Sequence, residues 1–107
     1  MVASHLASGD EEILLRKNAT ELAVSWDGSA VANNSADGHF SSNRYILRLA
    51  RPGSAAGLPR AQGEPEQVTF GGGIWHVHSG AWTPDDKWII YTRDFDAGTL
   101  LVVDQYR

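Results

Sequence analysis

A chain of 107 residues with a net charge of −4 holds one domain or less. Its lysines and arginines are scattered with no basic stripe, which argues against nucleic acid as a partner, and no apolar run approaches the length of a membrane span. Cysteine is absent, which excludes disulfide frameworks and thiolate metal sites and leaves the redox compartment open.

The opening stretch, Met1 to Gly9, lacks the basic and apolar regions of a signal peptide, and residues 1–10 read as a flexible arm. Glu11 to Lys17 is closed off by Asn18-Ala-Thr20, too soon for a stable helix, so it reads as a strand. Glu21 to Trp26 alternates and predicts a second strand. After an Asp27-Gly28 turn, Ser29 to Asn33 is a weak strand of small residues. Residues 34–43 form a polar loop, and Arg44 to Ala50 is a clear strand. Residues 51–65 have the Pro, Gly and Ala content of a long surface loop. Gln67 to Phe70 is another short strand, Gly71-Gly-Gly73 a joint, and Ile74 to His78 leads into the most legible part of the chain.

That part is 78–104. Thr83-Pro84-Asp85-Asp86 predicts a tight turn: Pro84 presets φ, and Asp86 is of a type that tolerates the left-handed region. Trp88 to Thr92 is rich in β-branched and aromatic residues and continuously apolar, as in a strand covered on both faces. Asp94 to Gly98 is a second turn, and Thr99 to Val103 a further strand.

Laying 23–33 over 81–91 reveals an internal repeat. Ala, a hydroxyl residue and Asp recur in register, and a buried-type strand follows each turn; Tyr45–Leu49 is placed on Thr99–Val103, and Glu12–Arg16 corresponds to Gln67–Phe70. The fold class predicted is all-β: two antiparallel four-stranded units, one over 11–51 and one over 66–107, joined by the 52–65 loop. The buried set expected is Ile13, Leu15, Leu22, Val24, Val31, Ile46, Leu47, Leu49, Val68, Phe70, Trp82, Ile89, Tyr91, Leu100 and Val102.

Ala-Trp-Thr-Pro-Asp-Asp-Lys-Trp-Ile-Ile-Tyr-Thr over 81–92, an Asp-x-Asp-x-Gly turn and a strand ending in Asp104 together resemble the WD40-like repeat of TolB-type β-propellers. The family pattern is small–aromatic–Ser–Pro–Asp–Gly–Lys; here Asp86 stands where Gly is usual, and in the first copy Trp26 stands in place of Pro. The resemblance implies that each unit is a propeller blade, the chain a partial propeller, and the compartment periplasmic or otherwise extracytoplasmic. Such repeats occur in periplasmic scaffolds, in peptidase propellers and in some lyases. Two blades alone leave apolar faces uncovered, which points to a protein partner or other copies of this chain.

His76 and His78 share one strand face, as a metal site requires, and look similar to the histidines with which a propeller-type lyase family holds a divalent cation. No third ligand is evident, and the alternative is a pair that lines the inner loop and bonds backbone. Asp94-Phe-Asp-Ala-Gly98 supplies too few oxygens for a calcium loop and reads as a hairpin turn. Trp82 and Trp88 occupy core positions of the repeat. Trp75 is the tryptophan expected to face solvent or a partner, and Trp26, at a turn, is a further contact residue. Asn18-Ala-Thr20 and Asn33-Asn-Ser35 match the glycosylation pattern. No nucleophile elbow or phosphate loop is present, and paired carboxylates sit in turns that give no shielding for acid–base work. The reading is a non-enzymatic interaction or scaffold module needing no cofactor, with binding assigned to Trp75, His76, His78 and Trp26. The alternatives are a fragment of a metal-assisted polysaccharide lyase or hydrolase propeller, and a carbohydrate-binding module.

Overall fold

The computed structural model describes residues 1–36, 42–50, 57–70, 75–95 and 101–106. These contain no helix and ten strands: β1 (Val2–Ser4), β2 (Glu11–Ile13), β3 (Thr20–Val24), β4 (Ala30–Ala36), β5 (Ser42–Ala50), β6 (Arg60–Ala61), β7 (Glu66–Gln67), β8 (Trp75–Trp82), β9 (Ile89–Phe95) and β10 (Leu101–Tyr106). The architecture is all-β and antiparallel apart from one parallel pair, Ser42 with His76, between β5 and β8.

Two antiparallel meanders carry the fold, β3-β4-β5 and β8-β9-β10. Both begin with the same turn, built bond for bond alike. In the first, the Ser25 and Ala30 backbones pair at 2.9 Å and Gly28 N–H donates to Ser25 O at 3.0 Å. Ser25 Oγ and Ser29 N–H both donate to Asp27 Oδ1 at 2.9 Å, and Ala30 N–H donates to Ser25 Oγ at 3.0 Å. In the second, Thr83 N–H donates to Trp88 O at 2.9 Å and Asp86 N–H to Thr83 O at 2.8 Å. Thr83 Oγ1 and Lys87 N–H both donate to Asp85 Oδ1, at 2.6 and 3.1 Å, and Trp88 N–H donates to Thr83 Oγ1 at 3.2 Å. The fourth residue is left-handed in both, Gly28 at φ 74° and Asp86 at φ 59°. A hydroxyl, then Asp two residues on, closes each turn through its own side chains.

The two meanders pack face to face. Ala30, Ala32, Ile46 and Val68 meet Val77, Trp82, Ile89 and Tyr91 in one core, with Ala23 against it. The small residues of β3 and β4 make room for the large ones of β8 and β9. A second cluster lies on the opposite face of the first meander, where Leu14 covers Val31, Leu47 and Leu49 together with Met1, Ala3 and Leu15.

That second cluster corrects the expected pairing. The 11–16 segment does not join β3; β2 pairs with β1, and the Met1 ammonium donates to Leu15 O at 2.8 Å. The first ten residues thus contribute a strand of a hairpin that covers an apolar face, where a loose arm was expected. The 66–70 segment also changes sides. β7 pairs with β5, Val68 N–H donates to Arg44 O, and β6 pairs with β5 further along, so the fourth strand of the first unit comes from 60–67. The second unit has three strands among the described residues. The third-strand alignment shifts as well: Ile46 opposes Ala32 and Gln105 opposes Ile90, which makes Gln105 the counterpart of Ile46.

Of the expected core, Val31, Ile46, Leu47, Leu49, Val68, Trp82, Ile89 and Tyr91 are buried, and Leu15 is half-buried. Ile13, Leu22, Val24 and Phe70 are exposed. Ile13 lies on the outer side of the hairpin. Leu22 and Val24 alternate with Ala23 and so point away from the second unit, beyond the part of that face which the hairpin reaches. Phe70 follows the last packed residues, Val68 and Thr69. Trp88, placed in the core by the repeat, is 40% exposed. Leu100 lies outside the described residues, as does the Val102 side chain.

Candidate functional site

Trp75 and His76 open β8, but their side chains lie outside the described residues, and so does the Asp94–Gly98 turn apart from the strand backbone at Asp94 and Phe95. His78 is half-exposed, with Nδ1 3.9 Å from Glu21 Oε1, and its carbonyl accepts from Thr92 Oγ1 at 3.0 Å. Among the described residues no three His, Cys, Asp or Glu side chains gather as metal ligands would. Trp26 is 69% exposed and acts as a strap. Its Nε1 donates to Trp82 O at 3.0 Å, while Trp82 Nε1 donates to Ala23 O at 2.9 Å. The two indoles thereby satisfy carbonyls of each other's unit across the junction.

Asp86 completes that junction. Its carboxylate accepts from the Trp26 and Asp27 N–H groups at 2.7 and 2.9 Å. Where the first turn has Gly28, Asp86 therefore accepts a left-handed backbone in exchange for two charge-assisted bonds to the other unit. The neighbouring Asp27 carboxyl is held down to about 2 by the Ser29 hydroxyl and N–H and by the Ser25 hydroxyl, and Thr83 with the Lys87 N–H lowers Asp85 in the same way. Beside the junction runs a shallow groove of about 310 Å³, where Arg48, Lys87 and Trp88 flank Ile46 and Trp82.

Between the units lies a polar centre that the sequence did not announce. Arg44 is fully buried. Its Nη1 donates to Glu21 O at 2.8 Å and to Asn34 Oδ1 at 2.9 Å, and Asn34 Nδ2 donates to Glu21 Oε2 and to Val77 O. Burial pushes the Arg44 pKa down and Glu21 opposes that; a guanidinium stays charged under such a load. Gly80 is the reason the guanidinium fits. At φ 154°, a Cβ there would sit 3.1 Å from Arg44 Nη2 and 3.1 Å from Ile90 O. An Arg within an apolar strand followed far along the chain by Ser-Gly gives no sign of this meeting.

A separate cavity of about 450 Å³ opens on the outer face of the first unit, between the segment after β2 and the one before β7. Asn33 and Tyr45, cross-strand partners on β4 and β5, border it with Ser35, and Lys17, Glu64 and Pro65 form its sides. Asn33 is fully buried, and neither its Oδ1 nor its Nδ2 has a partner. Each such atom costs about 1–3 kcal/mol when left unbonded. This burial also removes Asn33 as a glycosylation acceptor in the folded chain, whereas Asn18 is exposed.

No family model matches this sequence, and no curated protein or solved structure does so either.

Proposed function

We propose that this chain is a non-enzymatic assembly module of propeller-blade type, whose second unit offers an open sheet face to a further unit. The observation that carries this reading is the stacking rule inside the molecule. The repeat sets Ala81 against Ala23 and Ile90 against Ala32. In the first unit Ala23 and Ala32 are packed under Trp82, Ile89 and Tyr91; in the second, Ala81 is exposed and Ile90 is 45% exposed. A second application of the same stacking would seat another sheet on Ala81 and Ile90.

The chain also carries the mate. Val24 corresponds to Trp82 and Leu22 to Gly80, the residues with which the second unit faces the first, and Leu22 and Val24 are exposed at 52% and 60%. Part of a head-to-tail contact is thus open on one molecule, at Leu22 and Val24, while the β1–β2 hairpin covers Val31, Leu47 and Leu49 of the same face; repeated head to tail, such a contact closes into a ring or continues as a filament. Other copies of this chain are the partner proposed. Static light scattering tests it: the expected result is a mass that rises with concentration to a multiple of 11.6 kDa, and returns to 11.6 kDa in Ile90→Glu with an unchanged Tm. A wild-type chain that stays at 11.6 kDa at every concentration would sink the self-assembly reading.

A further inference from the structure

We propose that the β1–β2 hairpin is a latch on the contact between copies: it holds shut the part of that contact formed by Val31, Leu47 and Leu49, and a second copy of this chain is the occupant that displaces it. The inference rests on the stacking reading above. Two cross-strand pairs carry it. In the second unit Trp82 and Ile89 are partners on β8 and β9, and both are buried in the core shared with the first unit, at 8% and 1% exposure. The repeat sets Val24 on Trp82 and Val31 on Ile89, and Val24 and Val31 are likewise partners, on β3 and β4. Here the pair is split. Val24 is 60% exposed, while Val31, at 4%, is packed under Leu14. A sheet that packs on Val24 as the first unit packs on Trp82 must also reach Val31, where the hairpin stands.

The attachment of the hairpin allows it to open. β1 and β2 form a sheet of their own. Among the described residues, the hydrogen bonds of residues 1–15 all close within that segment: the strand ladder, the bonds of Met1 with Leu14 and Leu15, the Ser4–Glu11 bond, and those of His5, Ser8, Gly9 and Asp10 in the connection. What fixes the segment to the first unit is apolar contact through Met1, Ala3, Leu14 and Leu15. Exposed Arg16, Lys17 and Asn18 lead from it towards β3. Opening it breaks no ladder of the main sheet, and the apolar area it uncovers on Val31, Leu47 and Leu49 is covered again by the incoming sheet. Hairpin and copy compete for one surface, so the closed fraction lowers the apparent affinity between copies.

Light scattering and amide hydrogen exchange on the whole chain test this. Leu14→Ala loosens the latch, and so does Ala3→Glu, a change on the half-buried side of β1 that leaves the shared core alone. Each should lower the concentration at which half of the chains are assembled by about ten-fold or more. Adding Ile90→Glu to either variant should return the mass to 11.6 kDa. In the assembled wild-type chain, the amides of residues 1–15 should exchange faster than in the monomer. Assembly of the wild type with no shift in either variant, or with residues 1–15 as protected as in the monomer, would overturn the latch and leave the stacking reading standing. A mass of 11.6 kDa at every concentration in the wild type and both variants would sink the stacking reading and the latch with it.

Discussion

Asp86 condenses the chemistry of the junction into one side chain. As a sequence position it is only an odd fourth residue of a turn, where a left-handed φ of 59° costs roughly 1–2 kcal/mol without glycine. Its compensation is tertiary, two N–H groups of the other unit held at 2.7 and 2.9 Å. Asp86→Ala keeps the backbone cost and loses both bonds, and should destabilise by about 2 kcal/mol. Asp86→Gly loses the bonds but relieves the backbone, so its loss should be smaller by about 1 kcal/mol. Urea unfolding of the pair checks the order; equal losses would mean that the left-handed strain is negligible.

At the scale of elements, turns were legible and edges were not. Thr83-Pro84-Asp85-Asp86 and Ser25-Trp26-Asp27-Gly28 close on themselves with bonds no longer than five residues in span, so a local reading suffices. The partners of β2 and β7 depend on which edge is free once the meanders have formed, and three-residue or two-residue strands carry no pattern that chooses. The β1–β2 hairpin is held by its apolar contacts more than by its ladder. Leu14 is buried at 8% exposure against Val31, Leu47 and Leu49, so Leu14→Ala should cost about 3 kcal/mol. Chemical denaturation measures it, and a loss below about 1 kcal/mol would show that the hairpin is docked only loosely.

For the whole molecule, one core serves both units. Since Trp82, Ile89 and Tyr91 are buried by the first unit, neither sheet retains its apolar surface without the other. Unfolding should therefore be a single transition, with tryptophan fluorescence and far-UV circular dichroism superimposing; two separated transitions would contradict the shared core. The same stacking accounts for Leu22 and Val24, which were expected inside and are found outside: they lie on the face of the first unit turned away from the shared core, beyond the hairpin, as Ile90 lies on the outward face of the second.

The amino-acid sequence by itself determined most of the strands of the two meanders, the two like turns and the repeat that relates them, but neither β1 nor β6, because alternation, Asp-based turns and β-branched runs act over a handful of bonds. It also fixed which residues were large and small along each strand. Only the tertiary structure decided that Arg44 meets Gly80, that Asp86 serves a turn some 60 residues away, and that Asn33 borders a cavity with both its polar atoms unbonded. Those outcomes depend on which sheet face meets which, and that choice is made by burial of area and by steric fit between segments far apart in the chain, for which no single stretch carries a signal.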